Sequence, residues 1–113
     1  MSSTMEVTDA TFAAEVEQHA GVTVVDFTAT WCGPCRMLGP ILDQVAAERA
    51  GEVKVVKLDT DENPRTAARF NVRSVPTMIF FKDGEPLGQI VGAVPKARID
   101  AALAEVAQAG AAA

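Results

Sequence analysis

Cys32 and Cys35, separated only by Gly33 and Pro34, are the residues of this 113-residue chain whose type and spacing most directly suggest chemistry. A disulfide closing so short a ring would contribute roughly 2 kcal/mol of loop-closure entropy, against about 4.7 for a 100-residue loop. It is therefore a poor staple, and a chain of this length does not need one, so the pair reads as reactive rather than architectural. If Pro34 lies in the first turn of a helix, Cys32 stands at the helix N-terminus and Cys35 one turn in, close enough to be bridged. Unpaired N–H groups and the positive dipole end then favour the Cys32 thiolate, with Cys32 exposed to attack, while Cys35 turns inward, shielded. Bringing a thiol pKa down to ambient pH raises its thiolate fraction from a few per cent to about half, but the loss of nucleophilicity leaves a net gain of about threefold. The shift serves as much to make Cys32 a good leaving group as a good attacker.

Asp26 is the second such residue, an acid between Val25 and Phe27 in a run that is otherwise apolar. A buried carboxylate without a partner is costly when ionised, so its pKa is expected to rise. Lys57, in phase with Val53 and Val55, is a candidate partner from a neighbouring strand. Two roles stay open for Asp26: proton acceptor for Cys35 through a water, or a buried ion pair that fixes strand register. Zinc is disfavoured, because it needs about four ligands and the chain adds a single histidine, His19, expected exposed at a helix end.

The elements that must position these groups follow from periodicity. Met5–Val7 reads as an edge strand, and Thr8 and Asp9 as caps of a helix over Ala10–His19 with Phe12, Ala13 and Val16 on its apolar stripe. In 21–30 Val22 and Val24 face one way and Val25, Phe27 and Ala29 the other, the pattern of a central strand. Met37, Leu38, Ile41, Leu42, Val45 and Ala46 mark a helix that should kink at Pro40. Glu52–Leu58 is a strand, Asp59–Asn71 holds a short helix ending at Phe70, and Thr77–Phe81 and Leu87–Val91 form a hairpin across Asp83-Gly84. Pro95 opens a last helix with Ile99, Ala102, Leu103 and Val106 on one face. The order β-α-β-α-β-α-β-β-α predicts an α/β fold, a central mixed sheet flanked by helices, in one domain over residues 1–113 with a frayed tail at 110–113.

Composition narrows the function. Ten Lys and Arg against 15 Asp and Glu give a formal charge of −5, which argues against nucleic acid and anionic membrane as partners. No apolar run approaches a membrane span, and the N-terminal ten residues lack the basic and apolar regions of a secretory signal. A soluble, cytoplasmic protein is expected.

The segments VDFTATWCGPCRMLGPIL, KLDTDENP, SVPTMIFFKDG and VGAVPK resemble the thioredoxin family along nearly the whole chain. The resemblance implies the thioredoxin fold, with about five strands and about four helices, and a protein-disulfide reductase that works by dithiol–disulfide exchange. It makes Cys32 the attacking thiol and Cys35 the resolving thiol of a redox-active Cys32–Cys35 disulfide, with Gly33 and Pro34 between them and Asp26 and Lys57 as the buried acid and lysine beneath. Pro76 matches a proline held cis against the cysteines. Val75 and Thr77 would offer backbone groups to an extended target segment. Gly92 matches a glycine beside that groove, and Trp31 a partly exposed aromatic on the same surface, with an ordinary core tryptophan as the alternative. No bound cofactor or metal is implied. The expected partners are disulfide-containing target proteins and a thioredoxin reductase, an NADPH-dependent flavoprotein, and the expected form is a monomer. Thr28 departs from the family, which usually has a tryptophan there, and Thr30 and Gly39 are also less usual. An oxidase or isomerase of the same fold, or a non-catalytic binding module, are the alternatives.

Overall fold

The computed structural model describes residues 4–109, so the tail expected at 110–113 lies outside the described residues. Nine elements follow in the expected order: β1 (Met5–Glu6), a single π-helical turn (Ala13–Glu17), β2 (Val22–Thr28), α1 (Gly33–Glu48), β3 (Val53–Asp59), α2 (Pro64–Arg69), β4 (Thr77–Lys82), β5 (Glu85–Val91) and α3 (Lys96–Gln108). The strands form one five-stranded mixed sheet in the order β1-β3-β2-β4-β5. Helical crossovers make β1 and β2 parallel to β3, while β4 runs antiparallel to β2 and its hairpin makes β5 antiparallel to β4. Asp83 and Gly84 both have positive φ, at 51° and 85°, as a two-residue hairpin turn requires.

The period of two along each strand divides the core in two layers. Val22, Val24, Val55, Met78 and Phe80 pack against Leu38, Leu42 and Val45 of α1 and Ile99, Leu103 and Val106 of α3. Val25, Phe27, Val56, Leu58, Ile79 and Phe81 pack on the opposite face with Val7, Phe12, Val16 and Ala67. Phe12, Phe70 and Phe81 meet there in tilted and edge-on ring contacts at 5.4 to 5.8 Å. The central strand β2 is thus buried on both faces, and its carboxyl end delivers the chain to Cys32.

Four local expectations need correction. The first helix shortens to the Ala13–Glu17 turn, closed by the Gln18 N–H donating to the Ala13 carbonyl. Asp9 does not cap it, because its carboxylate accepts from the Arg65 and Thr66 N–H groups and the Thr66 hydroxyl, so it caps α2 from 56 to 57 residues away. Met37 leaves the apolar stripe of α1 and is 71% exposed, since Leu38, Leu42 and Val45 already fill the inward face. His19 is half-buried rather than exposed, in the wall of a cavity with Gly21 and Val53 near the amino ends of β2 and β3. The helix α1 continues through Pro40 as one element. No helix among the described residues is long and apolar enough to cross a membrane.

Candidate functional site

The chain leaves β2 at Thr28, turns through Ala29–Cys32 with the Cys32 N–H donating to the Ala29 carbonyl at 3.3 Å, and enters α1. Cys32 is the N-cap of α1, with an extended backbone and a sulfur that accepts from the Cys35 N–H at 3.2 Å. Gly33 and Pro34 form the first helical positions and are exposed. One turn brings Cys35 back beside Cys32, with Cα atoms 5.3 Å apart and the two sulfurs joined as a disulfide. The expected contrast in exposure between the two cysteines is not what the oxidised structure shows. Cys32 is 3% and Cys35 6% exposed, because the bridge draws both sulfurs against Ala29 and Val75. What distinguishes them is placement, one at the helix terminus and one inside the first turn.

Val75 comes to the site from the loop before β4. Its carbonyl oxygen lies 3.8 Å from Cys32 Sγ, its peptide bond to Pro76 is cis, and the Pro76 carbonyl accepts from the Gly92 N–H at 2.8 Å. Gly92 has φ of +96°, a conformation glycine adopts at no steric cost, and a Cβ there would meet nothing within 4 Å. The space beside it is open to a partner. Thr77 opens β4 between Phe27 and Val91, its side chain buried and its hydroxyl donating to the Ser74 carbonyl at 2.7 Å.

Trp31 is 67% exposed, with its indole N–H donating to Asp61 Oδ2 at 2.8 Å. A small cavity of about 130 Å³ lies beside it, lined by Trp31, Thr60, Val72, Arg73, Ser74 and Val75. Asp61 and Arg36, which donates to the Thr30 carbonyl at 2.9 Å, hold the outer edge of the loop. Sequence reasoning missed both. Asp61 follows β3 and reaches Trp31 only through the fold, so no local signal marked it.

Asp26 stands on the α1 face of β2, opposite Lys57 in the β2–β3 register. It is 1% exposed and no protein group lies within hydrogen-bonding distance of its Oδ1. Burial pushes its carboxyl up to about 7, against the pull of the Lys57 charge. A group poised there changes protonation state near neutrality, which suits a proton acceptor. The site thus combines a disulfide at a helix N-terminus, an open apolar face beside it and a buried acid beneath. That arrangement exchanges electron pairs with other thiols and disulfides.

Comparison with known proteins agrees with the geometry. A family model described as Thioredoxin matches residues 3–105. A thioredoxin of Mycobacterium tuberculosis strain H37Rv is 51% identical over 105 residues, covering 93% of this chain and 90% of its own, as is one of Mycobacterium bovis. A thioredoxin of Staphylococcus aureus is 53% identical over 92 residues, covering 81% of this chain and 86% of its own.

Proposed function

This chain belongs to the thioredoxin family and is a thiol–disulfide oxidoreductase, and from that premise we propose the roles of its residues and the partners it serves. Reduced Cys32, its thiolate favoured by the N-terminus of α1, attacks a target disulfide and forms a mixed disulfide with one target sulfur, releasing the other as a thiol. Asp26, held electrostatically by Lys57, takes the proton from Cys35. The Cys35 thiolate then attacks Cys32 Sγ, forming the Cys32–Cys35 disulfide and releasing the second target thiol.

Gly33 and Pro34 keep the two cysteines one turn apart with an exposed, side-chain-poor spacer. The target lies extended across Trp31, Val75, Pro76 and Gly92, where the Val75 backbone is available for a short strand-like pairing. The buried Thr77 supports this face from within the sheet. The whole chain acts as one domain, a cytoplasmic monomer that returns to the dithiol state through a thioredoxin reductase, an NADPH-dependent flavoprotein. It carries no bound cofactor of its own.

The observation that carries this reading is the Cys32–Cys35 disulfide at the N-terminus of α1, packed on Val75. Its test is reduction of a disulfide-bonded model protein by a dithiol donor, with wild type, Cys32→Ser and Cys35→Ser. Wild type should outpace the donor alone and both variants should lose that advantage, with Cys35→Ser accumulating a covalent mixed disulfide with the target. A wild type no faster than the donor would sink the reductase reading.

A further inference from the structure

Met37 is the most exposed large apolar side chain among the described residues, and the buried side of α1 is filled without it by Leu38, Leu42 and Val45. Residues three and four apart share a helix face, so Met37 stands next to Gly33 and Pro34, the exposed spacer of the redox disulfide, and next to the exposed Pro40 and half-buried Ile41. This stripe stays apolar over two turns from the disulfide. A helical side chain leans toward the helix N-terminus and covers the turn before its own Cα. Gly33 has no side chain and open space where one would begin, which leaves the Met37 thioether free to bend toward the turn that carries Cys32 and Cys35. A protein that brings its disulfide to Cys32 therefore meets this stripe as it docks. Methionine suits such a contact, being flexible and polarisable enough to fit dissimilar partners. The same thioether is open to oxidation.

We propose that Met37 is a modification site: peroxide converts its thioether to the sulfoxide, and the sulfoxide weakens the docking of the disulfide-bearing segment of a target protein. The inference rests on the reading of the surface around Cys32 as the docking face and extends that face along α1. In the modification the thioether lone pair attacks one peroxide oxygen, the O–O bond breaks and the S–O bond forms. The proton on the transferred oxygen passes to the departing hydroxide, which leaves as water. Sulfur loses two electrons and hydrogen peroxide, the oxidant, gains them. The product carries a polar S–O group that must shed water before a partner can cover it. The Cys32–Cys35 exchange itself is untouched, so the penalty falls on KM for protein targets.

The other sulfurs are placed to react less or to matter less. Cys32 and Cys35, once joined, offer peroxide no thiol. Met78 is fully buried. Met5 is less exposed than Met37 and lies in the wall of the cavity at the amino ends of β2 and β3, the end of the sheet away from Cys32. Met1 lies outside the described residues.

The test treats the disulfide form of the full-length protein with hydrogen peroxide, removes the peroxide, maps the sulfoxides by peptide mass spectrometry, and measures reduction of a disulfide-bonded model protein and of a small aromatic disulfide with a dithiol donor. Met37 should oxidise ahead of Met5, and Met78 hardly at all. Treated wild type should show a KM for the model protein raised about fivefold, with the small disulfide reduced at the untreated rate. Met5→Leu should lose affinity with wild type, whereas treated Met37→Leu should match its own untreated protein. Repair with methionine sulfoxide reductases for both epimers should restore the wild-type KM as mapping shows the thioether regained. Oxidation of Met5 ahead of Met37, an equal loss in treated Met37→Leu, or a loss that survives repair overturns the proposal. Gly92→Ala separates the two levels. An unchanged KM in wild type carrying the Met37 sulfoxide, beside a raised KM in Gly92→Ala, removes the role of Met37 alone; an unchanged KM in both removes the docking face on which it rests.

Discussion

Asp26 and Lys57 stand opposite one another on adjacent parallel strands, the acid sealed in the sheet and the lysine half-buried beside a cleft, without a direct ion pair between them. The arrangement leaves the carboxyl of Asp26 raised to about 7 by burial, because the Lys57 charge only partly offsets the lost hydration.

That elevation costs stability at neutral pH, and the sign follows from proton binding. Between the ordinary carboxylate range and about 7 the folded state holds a proton that the unfolded state has lost, so stability falls as pH rises across that window. Asp26→Ala should therefore be more stable than wild type at pH 8, by up to about 4 kcal/mol less the cost of the cavity it opens. The gain should shrink as pH falls through about 7 and vanish near about 4. Denaturant unfolding of both proteins at several pH values, in the oxidised state, measures it. A difference independent of pH would mean that the carboxyl titrates alike in the folded and unfolded states, so that burial does not raise it.

Two glycines with positive φ should respond differently to alanine. At Gly84 a Cβ would sit against the Glu17 carbonyl, with that oxygen well inside contact distance, at φ of +85°. Gly84→Ala must move the hairpin turn or the π-helical turn, and should cost about 3 kcal/mol or more. Gly92→Ala meets nothing within 4 Å and pays only for its φ of +96°, about 1–2 kcal/mol. Its added methyl projects into the face proposed for docking. Gly92→Ala should thus raise KM for a protein target several-fold while reduction of a small aromatic disulfide stays near wild type; an equal loss on both substrates would argue against a docking role.

Much of this site was legible because its decisive relationships are local. Cys32-Gly33-Pro34-Cys35 spans one helical turn, so spacing alone predicts a bridgeable pair, and the stripe Ile99, Ala102, Leu103 and Val106 is buried as its period demands. The Asp26–Lys57 pairing was accessible because both residues break apolar strands in phase with buried valines. The illegible features depend on chain segments far apart. Asp9 looks like a cap for the helix that follows it, but α2 lies within reach and offers two N–H groups and a hydroxyl. Thr77 follows Pro76 in sequence, yet its place between Phe27 and Val91 is set by strand order. The low exposure of Cys32 needs Val75, 43 residues on, to lie over its sulfur.

Leu42 links the core to the site. It is fully buried on α1 between Val24 and the α3 stripe, one face of the helix whose N-terminus carries the cysteines. Leu42→Ala should cost about 2–5 kcal/mol, the range for a buried leucine whose surroundings relax only in part. The midpoint of urea unfolding should fall while the slope of the transition holds, since the change alters packing and not the surface exposed on unfolding. A loss under about 1 kcal/mol would mean that α1 is held mainly by other contacts.

The Trp31–Asp61 hydrogen bond ties an exposed ring to the loop after β3, at 2.8 Å between indole nitrogen and carboxylate oxygen. A charge-assisted bond of this kind contributes about 1.5–3 kcal/mol when shielded and less where water competes, as it does here. Its effect is therefore expected in ordering rather than in global stability. Because Trp31 is the chain's one tryptophan, its fluorescence reports this ring alone. Asp61→Ala should lower the anisotropy of that emission and leave the urea midpoint close to wild type, whereas Asp61→Asn, which keeps an oxygen acceptor, should restore part of the anisotropy. Disulfide reduction should follow the same order, wild type above Asp61→Asn above Asp61→Ala, with the loss falling on KM for protein targets, because a ring free to swing pays its ordering entropy at each docking event. Unchanged anisotropy in Asp61→Ala would show that packing against the loop, and not the hydrogen bond, orients Trp31.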